Sequence, residues 1–160
     1  MIYIGIDNGV TGTIAILTGD DSRFIKMPVK VEQSYTKTKQ NITRIDYLAI
    51  TTILLPYNNA ARIAIERPMV NPARFKATAS ALRSLEAVLI AVEASGCAFS
   101  YIDSKEWQKA MLPSGVQGPA DLKKASMDIG CRLFPAHKEA ILKHKDADSL
   151  LIAEYLRRYI

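Results

Sequence analysis

Several carboxylates in this sequence stand where a charge is costly. Asp7 ends the apolar run Ile2-Tyr3-Ile4-Gly5-Ile6, and Glu66 ends Ile63-Ala64-Ile65. Asp148 shares a helical face with Leu151, Ile152 and Tyr155, at offsets of three, four and seven. Asp146 lies two positions before it. A buried charge needs compensation, and these acids come with no Cys/His cluster. Hard oxygen ligands of this kind suit Mg²⁺ or Mn²⁺, and two such ions can clamp the attacking water and the leaving oxygen of a phosphodiester. No Ser-His-Asp or Cys-His partnership is legible, which disfavours covalent catalysis.

Each acid also has a plainer role open to it. Asp7 opens the turn Asn8-Gly9-Val10-Thr11-Gly12, whose glycines let backbone approach a phosphate or metal, but an Asp that merely starts a hairpin turn gives the same pattern. Glu66 can pair with Arg67 at the sheet rim, where Pro68 stops the strand. Asp146 sits about 200° around a helix from Asp148, so it reads as either an N-cap or a ligand. His144, four residues before Asp148, reaches the same face only if the helix begins earlier.

The elements that must hold these residues follow from periodicity. Residues 2–7, 13–17 and 23–27 read as three strands of a meander separated by Gly-containing turns. Residues 30–43 are polar and read as a loop, followed by a helix from about Arg44 to Leu55 that ends at Pro56. Residues 61–66 form a short buried strand. The apolar spacing after Pro72 gives the longest helix, which stops at Gly96. A strand at 97–102, a helix at 104–111 started by Asp103 or Ser104, a helix at 121–133 closed by Pro135, and a last helix at about 147–159 complete the chain. The fold expected is α/β, with a mixed central sheet of about five strands and helices on both faces.

Composition sets the outer bounds. The 160 residues suit one domain, and 49% apolar with 23% charged residues is a globular balance. A net charge of +5 permits a polyanionic partner without demanding one. No apolar run reaches the roughly 18 residues of a membrane span, and the start of the chain lacks the pattern of a signal peptide. Cys97 and Cys131 lie in apolar surroundings without Cys-x-x-Cys spacing, so buried thiols are expected, in a protein that stays in the cytoplasm.

Three segments together resemble the RuvC-type Holliday junction resolvases of the RNase H-like superfamily, especially the small versions found in phages. They are Ile4-Gly5-Ile6-Asp7-Asn8-Gly9-Val10-Thr11-Gly12, Ile63-Ala64-Ile65-Glu66-Arg67-Pro68, and Lys145-Asp146-Ala147-Asp148-Ser149-Leu150-Leu151-Ile152-Ala153-Glu154-Tyr155. The resemblance implies an RNase H-like fold and a homodimer that holds a four-way DNA junction. It also implies symmetrical, Mg²⁺-dependent nicking that leaves 5′-phosphate and 3′-hydroxyl ends. Carried over, Asp7, Glu66 and Asp148 are catalytic metal ligands. The family's fourth ligand, Asp or His, falls three or four residues before the last acid, where this chain has Lys145 and His144. Asp146 takes that role if the helix start is shifted. Asn8 replaces a common Pro, and Ser149 a common Ala.

A dimer on branched DNA needs cations near both sites, and Lys105, Lys109, Lys123 and Lys124 are candidates, although solvated helix faces carry lysines too. The loop after Glu66, with Arg67 and an apolar tip at Met69, can wedge against unstacked bases or pack at the dimer interface. The long helix can serve that interface or the core. Rival expectations are a nuclease for other branched DNA or RNA, an actin-like phosphotransfer fold, and a junction-binding module without turnover.

Overall fold

Side chains that alternate along three adjoining strands decide how the sheet is covered. The computed structural model describes residues 1–160. The strands β1 (Ile2–Asp7), β2 (Thr13–Thr18) and β3 (Asp21–Lys26) form an antiparallel meander, as expected. A separate two-stranded ribbon follows, β4 (Val29–Gln33) paired with β5 (Asn41–Ile45), and then helix α1 (Tyr47–Leu54). Strand β6 (Ala61–Glu66) returns parallel to β1, and after α2 (Phe75–Ser95) the edge strand β7 (Ala98–Ile102) lies parallel to β6. Helices α3 (Ser104–Met111), α4 (Pro119–Leu133), α5 (Lys138–His144) and α6 (Asp148–Tyr159) close the chain. The main sheet is mixed, with strand order β3-β2-β1-β6-β7.

Period-two alternation gives this sheet two buried faces. Ile4, Ile6, Ile14, Ile16, Ile63 and Ile65 point to one side, into a core completed by Val88, Ala91 and Val92 of α2 and Ile50 and Leu54 of α1. Ala15, Leu17 and Ala64 point to the other, under Leu150, Leu151 and Ala153 of α6 and Trp107 of α3. Each fully buried Ile contributes about 1.5–3 kcal/mol relative to an exposed one. Asp7 and Glu66 continue the parity of Gly5 and Ala64, so both acids leave the sheet on the α6 side.

Glycine sets how closely that helix approaches. A Cβ on Gly5 would lie 2.1 Å from the Ser149 carbonyl oxygen and 2.5 Å from the Ala153 nitrogen. Helix α6 therefore rests its backbone directly on β1. The Thr13 hydroxyl donates to Ser149 Oγ at 2.7 Å in the same buried layer. At the other end of the contact, a Cβ on Gly130 would meet Ala147 Cβ at 2.2 Å, so α4 closes against the start of α6 through a second missing side chain.

Three expectations need correction. Residues 30–43 are mostly ribbon rather than loop. Alternation is present in Val29-Lys30-Val31-Glu32-Gln33, but both faces of this ribbon are largely open, so no apolar stripe announces it. Helix α1 accordingly starts later than Arg44, where Asp46 accepts from the Ala49 N–H at 3.1 Å as its N-cap. A short helix, α5, occupies a stretch assigned no element from sequence. No helix is long and apolar enough to cross a membrane.

Candidate metal centre

The ends of β1 and β6 and the start of α6 meet at one edge of the sheet. Ile6 is in register with Ile65, so Asp7 and Glu66, one residue on, emerge side by side. Helix α6, held on Gly5, brings Asp148 over them. Asp146 comes from the break between helices: α5 ends with Lys145 in the left-handed conformation (φ 73°), and α6 begins after Ala147. One carboxylate oxygen from each of Asp7, Asp146 and Asp148 lies within 4.8 Å of the others. Thr11, Lys123 and His144 join these three acids in lining a cleft with no hydrophobic residue.

Asp146 does not cap α6. The N-cap residue is Ala147, and no side chain caps that helix. Asp146 is instead buried, with Oδ2 3.8 Å from Lys123 Nζ and Oδ1 3.5 Å from His144 Nε2. That last pair is close enough for an ion pair if His144 is protonated, but it makes no hydrogen bond, and both atoms are enclosed without a partner. His144 is thus at the cleft, from the last residue of a separate helix.

Neighbouring side chains hold two of the acids in place. Trp107, fully buried beneath α6, donates its indole N–H to Glu66 Oε1 at 2.8 Å. Ser126, buried on α4, donates its hydroxyl to Asp148 Oδ1 at 2.5 Å and accepts from the Ala147 N–H at 3.0 Å. Neither contact was foreseen from sequence. The available signals were a lone Trp on a short helix and a Ser four residues before Gly130 on the buried face of α4. The alternative role for Glu66, a pairing with Arg67, does not form: Arg67 binds Asp103 at 3.0 Å and lies over the Tyr101 ring, 5.2 Å from its centroid.

Electrostatics record the crowding. Burial raises the Asp7 carboxyl well above its usual range, and the charges of Glu66, Asp148 and Asp146 raise it further. Asp148 is raised to about 7, chiefly by burial, with the Ser126 hydrogen bond opposing and Asp146 and Glu66 adding to the rise. Carboxylates pushed together against their own repulsion, beside one lysine, with an enclosed Asp146 oxygen left unpaired, fit a divalent cation bound by hard oxygen donors. In the β1–β2 turn Gly12 serves backbone closure: a Cβ there would lie 2.1 Å from the Asp7 carbonyl oxygen.

The residues expected to touch DNA are dispersed. Lys123 is at the acidic cleft. Lys105 and Lys109 line a neighbouring cleft on α3, and Lys124 lines another on α4, with Pro113, Ser114, Gly115 and Val116 common to both. Met69 is 83% exposed on the loop that follows Glu66.

No family model matches the chain, and no curated protein matches it. Solved structures do. The chain is similar to RuvC of T. thermophilus in complex with a Holliday junction substrate, with 16% identity and a TM-score of 0.61 over 99% of this chain and 97% of that one. It is also similar to the structure described as Thermus thermophilus RuvC, at 17% identity and a TM-score of 0.54, covering 98% and 96% respectively. The five-stranded mixed sheet, clothed by helices on both faces, is a fold shared with these RuvC structures.

Proposed function

We propose that residues 1–160 form one nuclease domain that works as a homodimer and cuts four-way DNA junctions by metal-dependent phosphodiester hydrolysis. The observation that carries this reading is the convergence of Asp7, Asp146 and Asp148 within 4.8 Å, on a fold shared with a RuvC described in complex with a Holliday junction substrate. Asp7, Glu66, Asp146 and Asp148 hold Mg²⁺, for which Mn²⁺ substitutes. When bound, such ions would polarise the phosphodiester and lower the pKa of the water they hold.

The chain's own groups supply position and charge. Trp107 occupies one oxygen of Glu66 and leaves the other for the site. Ser126 fixes the Asp148 carboxylate and the first turn of α6 together. Lys123 brings a cation to the rim of the cleft, where a phosphate enters a strongly acidic surround. With no nucleophilic side chain paired to a base in the cleft, hydrolysis proceeds by water.

Purified protein incubated with labelled four-way junctions, flaps, linear duplexes and structured RNA tests the reading, with products resolved on a denaturing gel. Paired symmetrical nicks confined to the four-way junction and dependent on Mg²⁺ or Mn²⁺ are expected. Cutting of flaps or RNA instead overturns the substrate and keeps the metal site. Junction binding without cutting in either metal overturns the enzymatic reading in favour of a binding module.

A further inference from the structure

The ribbon formed by β4 and β5 takes no part in the main sheet, yet it is rooted at the acidic end of it. Lys26, the last residue of β3, is in register with Thr13, which is in register with Asp7. The next residue, Met27, is buried and donates its N–H to the Gly12 carbonyl at 3.0 Å. The other leg returns through Ile45, also buried, and the Asp46 N–H closes on the Pro28 carbonyl at 2.9 Å. Both legs are therefore fixed to the core beside the turn that follows Asp7.

The tip is also ordered. The Ser34 N–H donates to the Gln40 carbonyl at 2.7 Å, the Thr36 N–H donates to Ser34 Oγ at 3.2 Å, and the Gln40 N–H donates to the Thr38 carbonyl at 2.9 Å. Arg83 of α2 donates to the Tyr35 hydroxyl at 2.9 Å and lies 5.7 Å from the centroid of its ring, tying the tip to the long helix. Lys37 and Lys39 project from this loop, both exposed and neither in an ion pair. The contrast with the stem is informative: Lys30 and Arg44 are both paired with Glu32, at 2.9 and 2.5 Å. Residues 33–45 contain no acid, and the tip sequence Ser34-Tyr35-Thr36-Lys37-Thr38-Lys39-Gln40 carries a polar group on every side chain. Lysines that guard a ribbon against edge pairing belong along its strands, whereas these two stand beyond the last paired residues, Gln33 and Asn41.

We infer that the β4–β5 tip is a DNA-binding element that grips the phosphate backbone through Lys37 and Lys39 at a distance from the acidic cleft. This rests on the nuclease reading above for the identity of the polyanion. The contact is independent of sequence, because lysine ammonium groups on a hydroxyl-rich loop recognise phosphate and carry no base code. The ribbon thus holds an arm of the substrate while the scissile phosphate lies at the acids.

The test is a salt titration of binding in Ca²⁺ or EDTA, using fluorescent four-way junctions, linear duplex and structured RNA with wild type and the Lys37→Gln/Lys39→Gln double variant. Both lysines are exposed and unpaired, and equal melting temperatures confirm the comparison. The inference expects junction binding on the order of tenfold weaker near 0.1 M salt, with the slope of log K against log salt reduced by about 1.8, the value for two lost phosphate contacts on duplex arms. Unchanged affinity and slope for wild-type levels of binding overturn the tip and leave the nuclease reading standing. A variant that changes self-association in sedimentation, with its slope unchanged, assigns the tip to a protein contact and overturns it too. A lysine-dependent slope on linear duplex with no preference for junctions upholds the tip and removes the junction substrate, whereas a lysine-dependent slope on RNA alone overturns the tip as a DNA element. Absence of binding to every nucleic acid overturns both.

Discussion

The Trp107 indole N–H meets Glu66 Oε1 at 2.8 Å beneath α6, so a residue with no exposure to solvent holds one carboxylate oxygen of a candidate ligand. A carboxylate held by a buried donor keeps one orientation and less freedom to lose when it binds a cation. Trp107→Phe keeps most of the apolar volume and removes the donor. The expected outcome is a metal requirement about ten- to hundredfold higher, read as the Mn²⁺ concentration for half-maximal binding by titration calorimetry. An unchanged Mn²⁺ affinity would show that the bond serves packing alone.

Gly5 makes the complementary contact on the sheet. A Cβ there runs into backbone atoms of Ser149 and Ala153, which cannot swing aside as a side chain would. Gly5→Ala is expected to cost about 1–3 kcal/mol by overpacking, visible as a lower Tm. Because the same displacement lifts Asp148 from Asp7, Mn²⁺ affinity should fall with it. Loss of stability with full metal affinity would separate the helix contact from the site.

Ser126 favours the ionised form of Asp148 by donating to it, against the burial that favours the neutral form. Ser126→Ala removes that bond and strands the Ala147 N–H, a loss of about 1–3 kcal/mol. The Asp148 carboxyl then rises above about 7. Mn²⁺ binding, which needs the carboxylate, should shift to higher pH in this variant. A titration of affinity against pH that overlays wild type would contradict this role.

The raised carboxyls also give the metal-free protein a pH dependence of definite sign. An unfolded Asp titrates near 3.8, while the folded Asp148 holds its proton to about 7. Between these values the folded state binds more protons than the unfolded one, so stability falls as pH rises. The advantage of the protonated form is complete below 3.8 and lost by about 7, and Asp7, raised in the same direction, adds to it. Thermal melts in EDTA should show Tm declining across this window, and Mg²⁺ should restore stability most at its upper end, where the acids are ionised. A metal-free Tm that rises from pH 4 to 7 would mean that other groups outweigh these two.

How much of this was legible in the sequence depends on how each residue is positioned. Asp7 and Glu66 were legible because alternation fixes strand faces locally, and an acid at the end of an apolar strand violates the pattern. Asp148 stood out for the same reason on a helix. Asp146 could not be placed by helical angle, because the angle presumes one continuous helix and the chain breaks at Lys145. The β4–β5 ribbon hid because it borders solvent on both faces and lacks an apolar stripe. Trp107 and Ser126 reach across 41 and 22 positions of sequence to their acids, contacts that exist only once α3 and α4 are packed.

The most direct test of the metal-centre account is Asp7→Asn, assayed for junction binding and for nicking in Mg²⁺ and Mn²⁺. The substitution removes one candidate ligand from the crowded cluster without changing the side-chain shape. The expected result is loss of nicking with junction binding retained, together with a higher Tm than wild type in EDTA, because a buried carboxyl crowded by Glu66, Asp148 and Asp146 is removed. Nicking at the wild-type rate, or lost binding with cleavage preserved, would contradict the assignment of this cleft as the catalytic centre.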